Sequence, residues 1–433
     1  MTQKIVALAT GVNKSAIAIL RMSGSGTKTA LKEIFKPFPT CANFLQYGTV
    51  FLDGLTDGAM LVYFDAPKSY TGEEMAELHL HGSMPLVSKV LEKLFSVGFL
   101  PAQNGEFTKR AYLNGKTNLS KAEGLADLIN AESFAGMRAA SILSSGKLCK
   151  ETFAIQESLT DALARLEAAL DYPEEDLEET ELSYVKETLL FVCDKLNEIL
   201  STAQNGKRAK DGVKIAIVGD TNVGKSSLLN AIVGFDRAIV SDQKGTTRDT
   251  VEESIDYKGI KMTFIDTAGQ RETQDEIEKI GVLRAKKAMQ QADLIVYVCL
   301  DGKRNKVYCD TQTPVIIVKN KADLNSDIFD AEIAVSALTG QNVQLLLSKI
   351  YDKIGGEEVL TAPLLLTSQR QAQCLSKAKE ELEEAILLVE NNATADIVAA
   401  VIRRGWSLVG QVTGNTDMQT VVDAIFAKFC LGK

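Results

Sequence analysis

Histidine, paired cysteines and long apolar runs are what this chain of 433 residues has least of. Its two histidines are His79 and His81, and its seven cysteines (positions 41, 149, 193, 299, 309, 374 and 430) are scattered without CxxC spacing. An odd, unpaired set argues against structural zinc and against a disulfide framework, and it suits reduced thiols in a cytosol. No apolar run reaches the roughly 18 residues of a membrane helix, and no charged-then-apolar leader is present. A cytoplasmic protein without a membrane partner is therefore expected. Positive charge is short as well: 48 Lys and Arg face 57 Asp and Glu, a net charge of −9. That balance carries no footprint of a stand-alone nucleic-acid binder and gives no reason to expect DNA. An RNA substrate would need a local basic patch or a partner to hold it.

Hydrophobic residues are plentiful, at 45%, and the length suits two to four domains. The most informative stretch is VKIAIVGDTNVGKS, residues 213–226, an apolar strand running into Gly-x-x-x-x-Gly-Lys-Ser. Gly219 and Gly224 let the backbone curl so that its N–H groups face a triphosphate, and a following helix N-terminus adds its positive dipole end. Lys225 can reach the β- and γ-phosphates and the Ser226 hydroxyl can hold Mg²⁺. Asn222, Val223 and Ser227 complete the expected phosphate contacts.

Two further apolar runs name the nucleotide. KMTFIDTAG ends in Asp266, Thr267, Ala268 and Gly269, where a carboxylate can reach Mg²⁺ through water and an N–H can sense a γ-phosphate. PVIIVKNKADL ends in Asn320, Lys321, Ala322 and Asp323. A carboxylate at Asp323 pairs with N1–H and the exocyclic amine of guanine, a donor pair that adenine lacks, so GTP is favoured over ATP. Ser336, Ala337 and Leu338 follow a short strand and are expected to contact the guanine through backbone groups. The connection from Leu300 to Pro314 is short for a crossover between parallel strands, so its helix is expected to be clipped.

The chain reads as three textures. Residues 1–117 mix strands (KIVALAT, AIAILRMSG, GAMLVYFDA) with a helix near 84–97. Residues 118–210 turn helical, with apolar positions at steps of three and four, and so do 367–390, 395–411 and 416–430. The GTPase segment spans 211–357, and the tail, 358–433, is too short for a core of its own. It is expected to pack on the 118–210 helices, making the GTPase an insertion.

Several stretches outside the GTPase segment, SYTGEEMAELHLHG (69–82), GEFTKRAYLNGK (105–116), KAEGLADLINA (121–131), LDYPEED (170–176) and the terminal FCLGK, together with GTTRD (245–249), closely resemble the MnmE (TrmE) family of tRNA modification GTPases, of the TrmE-Era-EngA-like group. The resemblance covers almost the whole chain. It implies a multidomain α/β plus α architecture: an N-terminal α+β folate-binding and dimerisation domain, a helical domain, and an inserted doubly wound Ras-like P-loop GTPase domain. It implies a homodimer acting on tRNA with a FAD-dependent partner, MnmG. GTP hydrolysis and a 5,10-methylene- or 5-formyl-tetrahydrofolate would serve to build an aminomethyl-type group on C5 of the wobble uridine. The alternative is a regulatory GTPase switch that recruits a partner without entering the chemistry.

By the same resemblance, Mg²⁺ is held by Ser226 and Thr247. A K⁺ ion takes the place of an arginine finger, with Asn222, Ser241, Gln243 and Thr246 as its ligands; Asp242, Lys244 and Gly245 belong to the same loop. The water-positioning residue corresponds to Glu278. Gln270, directly after DTAG where Ras-like GTPases carry their catalytic glutamine, is its rival, and Glu278 is favoured because Asn222 and GTTRD match the family rather than Ras. The folate positions fall on Arg21, Glu77, Lys116 and Lys433. Cys430 is singled out as a functional thiol of unassigned role. The stretch TGVNKSAIAIL departs from the family's Pro-Pro-Gly-Arg-Gly-like loop, and His79 and His81, i and i+2 on a strand, read as packing rather than as metal ligands.

Overall fold

The computed structural model describes residues 3–171, 178–235, 251–266, 286–301, 312–324, 331–414, 425–426, 429 and 432. Close contacts divide the chain into two units: Met1–Ala126 with Cys149–Gln156 and Trp406–Lys433, and Asp127–Leu148 with Glu157–Gly405.

The first unit is built on a sheet of seven strands: β1 (Ile5–Leu8), β2 (Ile17–Ser23), β3 (Phe35–Lys36), β4 (Gln46–Leu52), β5 (Leu55–Phe64), β6 (Met75–His81) and β7 (Leu100–Pro101). They lie in the order β3-β4-β5-β6-β2-β1-β7, and every pair is antiparallel except β1 with β7. Alternation decides which way each strand faces. Ala18, Leu20 and Met22 of β2 and Leu78 and Leu80 of β6 are buried beneath helices α1 (Thr27–Ile34) and α2 (Met84–Ser96), whose Leu31, Ile34, Val87, Val90 and Leu94 close the same core. The opposite face is covered only in part. There helix α3 (Glu106–Leu113) brings Phe107 against Ile5, Ala7 and Met75, with Phe64 packed alongside. Beyond that cover, Ile17, Tyr47 and Met60 are exposed. The described remnant of the C-terminal segment, Ile425, Phe426 and Phe429, packs with Leu119, Ala122 and Ala126 of α4 (Leu119–Ile129).

In the second unit the helical text behaves as its period dictates. α7 (Glu178–Ser201) buries Val185, Leu189, Val192, Leu196 and Ile199, the stripe that a 3.6-residue repeat puts on one face. Helix Gln369–Glu390 buries Leu375, Ala378, Leu382 and Ala385 and packs on α7, where Lys186 also pairs with Glu390 at 2.9 Å. Tail and mid-chain helices thus share one bundle. Helices α5 (Phe134–Ser144) and α8 (Ala203–Asp211), with parts of α6 (Lys147–Asp171) and of helix Ala395–Thr413, also belong to this unit.

The GTPase segment is a six-stranded sheet: β8 (Val213–Gly219), β9 (Val251–Tyr257), β10 (Ile260–Asp266), β11 (Leu294–Cys299), β12 (Val315–Lys319) and β13 (Ile333–Ala334). The order is β13-β12-β11-β8-β10-β9, parallel throughout except for the β9–β10 hairpin. Successive crossovers leave β8 in opposite directions, β10 on one side and β11 on the other. A crevice therefore opens at its carboxyl end, the switch point where open α/β sheets bind ligands. Val213, Ile215, Ala216, Ile217 and Val218 of β8 are all fully buried, which is why the strand reads as continuously apolar. The Leu300–Pro314 connection falls largely outside the described residues.

Candidate functional site

Strands β8, β10, β12 and β13 of the second sheet each deliver a polar group to the crevice at the end of β8. β8 itself delivers the loop Asp220–Gly224, and α9 (Lys225–Phe235) follows at once. Two glycines are indispensable there. A Cβ on Gly219 would lie 2.1 Å from the Val298 carbonyl oxygen, and one on Gly224, whose φ is +91°, would lie 2.4 Å from Asn320 Nδ2. Asn222 is exposed and takes the left-handed conformation, φ +62°, one that Asn tolerates better than other side chains. With the helix N-terminus of α9 beyond it, the loop is a cradle for an anion.

Lys225 folds back over this cradle and donates to the carbonyls of Gly219 at 3.0 Å and Asp220 at 2.7 Å. Burial holds its ammonium below the usual lysine range, with the Asp266 and Asp220 carboxylates opposing the shift. Asp266, 5% exposed at the end of β10, accepts a hydrogen bond from Ser226 Oγ at 2.7 Å. A hydroxyl and a carboxylate meeting at one point are the hard oxygen donors that Mg²⁺ prefers, so the chemistry of this pair fits the metal.

The base-reading loops sit at the ends of β12 and β13. Asn320 is 3% exposed, and its side chain spans two segments: Nδ2 donates to Val223 O at 2.8 Å and Gly224 O at 3.4 Å, and Oδ1 accepts from Ala337 N at 3.1 Å. It therefore ties the phosphate loop to the segment Ser336–Leu338. Ser336, fully buried, donates through Oγ to Asp323 Oδ1 at 2.6 Å and accepts from Thr339 N at 3.2 Å. That bond aims the Asp323 carboxylate. Lys321, at φ +60°, and Leu338, 86% exposed, remain open to a ligand. Among the described residues the structure thus brings Asn222, Val223, Gly224, Lys225, Ser226, Ser227, Asp266, Asn320, Lys321, Asp323, Ser336, Ala337 and Leu338 around one crevice. Ser241, Asp242, Gln243, Lys244, Gly245, Thr246, Thr247, Thr267, Ala268, Gly269, Gln270 and Glu278 lie outside the described residues.

A second polar cluster sits in the first unit, where the α3 cover of the sheet ends. Arg21 and Glu77 are cross-strand partners in the β2–β6 register, and Arg21 Nε donates to Glu77 Oε1 at 2.9 Å. Arg21 also donates to the Gly432 carbonyl at 3.0 Å, so the C-terminal end of the chain closes on this pair. His79 and then Arg21 hold the Glu77 carboxyl below its usual range, against the upward push of burial. Lys116 lies on the turn after α3 with its stem over Gly72. Cys430 and Lys433 lie outside the described residues.

Two neighbours escape sequence reading. Tyr70 shares a hydrogen bond with Thr108 at 2.9 Å and lies within electrostatic reach of Arg21. The Gly432 carbonyl has no side chain to signal it. On the polar side of α3 a cleft of about 630 Å³ is lined by Glu73, Glu106, Asn114 and Phe426. Its central cation, Arg110, is engaged by Glu73 at 2.9 Å and Glu106 at 2.8 Å. No group of three or more His, Cys, Asp or Glu side chains poised for a metal occurs among the described residues. None of the described helices is long and apolar enough to cross a membrane.

Comparison with known proteins yields one consistent family. A family model described as the MnmE helical domain matches residues 119–430, and one described as the GTP-binding protein TrmE N-terminus matches residues 4–116. The chain is 37% identical to the tRNA modification GTPase MnmE of Aquifex aeolicus, with 100% of each chain covered. It is 36% identical to the protein of that name in Clostridioides difficile and 35% to that of Natranaerobius thermophilus, with 99% of each covered in both cases. Among solved structures, the G domain of the T. maritima FeoB iron transporter is 26% identical, covering 32% of this chain and 97% of its own, with a TM-score of 0.25.

Proposed function

The chain belongs to the MnmE family of tRNA modification GTPases, and we propose that it hydrolyses GTP in the service of modifying the wobble uridine of tRNA. The observation that carries the GTP reading is the bridge made by Asn320, which binds the phosphate cradle and the Asp323 loop into one rigid crevice. Phosphoryl transfer asks chiefly for positioning and for charge stabilisation at the β–γ bridge. Lys225 supplies a cation that burial has already stripped of much of its water, so it gains by exchanging backbone carbonyls for phosphate oxygens. Ser226, Asp266 and Thr247 would hold Mg²⁺, which when bound neutralises charge on the leaving diphosphate. Asn222, exposed beside the cradle, would hold K⁺ with Ser241, Gln243 and Thr246, and Glu278 would place the attacking water. Dimerisation of the G domains in K⁺ would accelerate hydrolysis.

The Arg21–Glu77 pair is our candidate for the folate site. Its fit to a reduced pterin rests on an ionised acid, which complements the pterin's amine and ring N–H groups, and on a polar atom beside it, His79 Nε2, that is buried without a hydrogen-bond partner. Arg21, Glu77, Lys116 and Lys433 would hold 5,10-methylene- or 5-formyl-tetrahydrofolate, which supplies a one-carbon unit when bound. A FAD-dependent partner of the MnmG type and a cytoplasmic setting complete the proposal. We set the domain limits at 1–117, 118–210, 211–357 and 358–433.

The test is nucleotide exchange of specificity. Asp323→Asn replaces an acceptor pair by an acceptor and a donor, so it should lose GTP and gain xanthosine triphosphate, whose base carries a carbonyl in place of guanine's amine. Retention of GTP affinity by Asp323→Asn would sink the guanine reading. Mass spectrometry of tRNA from cells lacking the protein tests the rest: wobble uridines without the aminomethyl-type group are expected, and unchanged uridines would refute it.

A further inference from the structure

His79 follows Glu77 by two residues on β6, so both side chains stand on the same face of the sheet. Register places them in neighbouring rows: Glu77 lies between Val62 and Arg21, and His79 between Met60 and Ile19. The α3 cover ends at Met75 and Phe64, one row short of Glu77, and Met60 in the His79 row is 43% exposed. At 21% and 24% side-chain exposure the two residues therefore lie at the edge of that cover. There His79 Nε2 is buried but makes no hydrogen bond. Its separation from Glu77 Oε2, 3.7 Å, is too long for one. His81, two residues on, shows the contrast: it is 71% exposed and pairs with Asp57 at 2.9 Å. An unsatisfied buried polar atom in a native fold calls for an explanation, and a missing ligand is one.

We propose that His79 is a ligand-reading residue of the Arg21–Glu77 site: its Nε2–H donates to the 4-oxo group of a pterin whose 2-amino and N3–H groups are held by Glu77. This rests on the folate reading above. The edge of a 4-oxopterin presents donor, donor and acceptor in order. Glu77, whose carboxyl His79 and Arg21 hold below its usual range, answers the two donors. His79 answers the acceptor, and the Glu77 carboxylate beside it favours the Nε2–H tautomer. A spacing of 3.7 Å suits two groups meeting adjacent atoms of one flat edge instead of each other. A 2,4-diaminopterin sets donor against donor at His79, and its N3, which carries no hydrogen, also turns a lone pair to Glu77, so it is disfavoured at both points.

The experiment measures dissociation constants of the full-length protein by calorimetry. The ligands are 5-formyl-tetrahydrofolate and its 4-amino counterpart, and the proteins are wild type, His79→Leu and His79→Gln. Wild type should prefer the 4-oxo ligand by about tenfold or more, the worth of one satisfied hydrogen bond over a mismatched one. His79→Leu should bind 5-formyl-tetrahydrofolate about tenfold more weakly and narrow the preference to the part that Glu77 sets through N3–H. His79→Gln, whose amide N–H can reach the same point, should keep most of the wild-type preference. A merely structural role would leave the 4-oxo over 4-amino ratio untouched, and that result in a folded His79→Leu overturns the inference while the folate reading stands. Failure of wild type to bind 5-formyl-tetrahydrofolate overturns both. Should His79→Leu not fold, nitrogen NMR of the wild type decides, because only two histidines contribute signals. A His79 Nε2 resonance unmoved by the ligand would count against the proposal.

Discussion

Replacing Asn320 by alanine should uncouple the two halves of the nucleotide site. The side chain is almost wholly buried and makes two well-formed bonds, 2.8 Å to Val223 O and 3.1 Å from Ala337 N, with a third, longer one to Gly224 O. Truncation leaves a carbonyl and an amide without partners, each costing about 1–3 kcal/mol when buried. Part of that falls on the free protein, whose melting temperature should drop. The rest falls on binding, because the ligand must then hold in place two loops that Asn320 otherwise holds. A share of about 2 kcal/mol corresponds to a loss of about 30-fold in GTP and GDP affinity. Fluorescent-nucleotide titration at saturating Mg²⁺ reads the affinity, and a thermal melt without nucleotide reads the first share. Gly224→Ala, whose new Cβ would lie 2.4 Å from Asn320 Nδ2, should fail in the same direction by pushing the bridge apart. GTP affinity within threefold of wild type in Asn320→Ala, at an unchanged melting temperature, would refute the bridge as the element that unites the site.

Lys225 carries a pH signature. Its folded value is depressed from 10.5 by burial, so the charged ammonium is a cost to the nucleotide-free fold at neutral pH, relieved as pH rises towards that ordinary value. Lys225→Met should therefore raise the nucleotide-free melting temperature at neutral pH while abolishing GTP binding; a lower melting temperature would contradict the desolvation argument. Glu278→Ala should bind GTP normally and barely hydrolyse it, with Gln270→Ala close to wild type, as single-turnover rates would show; the reverse ranking would transfer the role to Gln270. Hydrolysis should run faster in K⁺ than in Na⁺, and equal rates in the two salts would remove Asn222 from any metal role.

How far the sequence could be read follows from how each feature is made. The phosphate loop was legible because one contiguous stretch builds it: Gly219, Gly224, Lys225 and Ser226 lie within a single turn between a buried strand and a helix. The order of strand-end motifs likewise forces Asp266 and Asp323 to the same end of a parallel sheet, whatever the loops between them do. Asn320 was legible as a base-loop residue but not as a bridge, since its phosphate-loop partner lies 97 residues away and only the pairing of β12 with β11, and of β11 with β8, joins them. The Arg21–Glu77 pair is harder still. The two are 56 residues apart and meet by strand register alone, so residue type and spacing could not pair them; the family resemblance proposed both, and the register put them in contact. The Gly432 carbonyl, 411 residues from Arg21, has no side chain for a pattern to register. His79 shows the sharper limit. Alternation along β6 assigns it to a face, and packing was a fair reading of a histidine on that face. Whether the face is covered depends on where α3 stops, one row short of Glu77, and that is a property of tertiary packing which no local pattern in residues 69–82 contains.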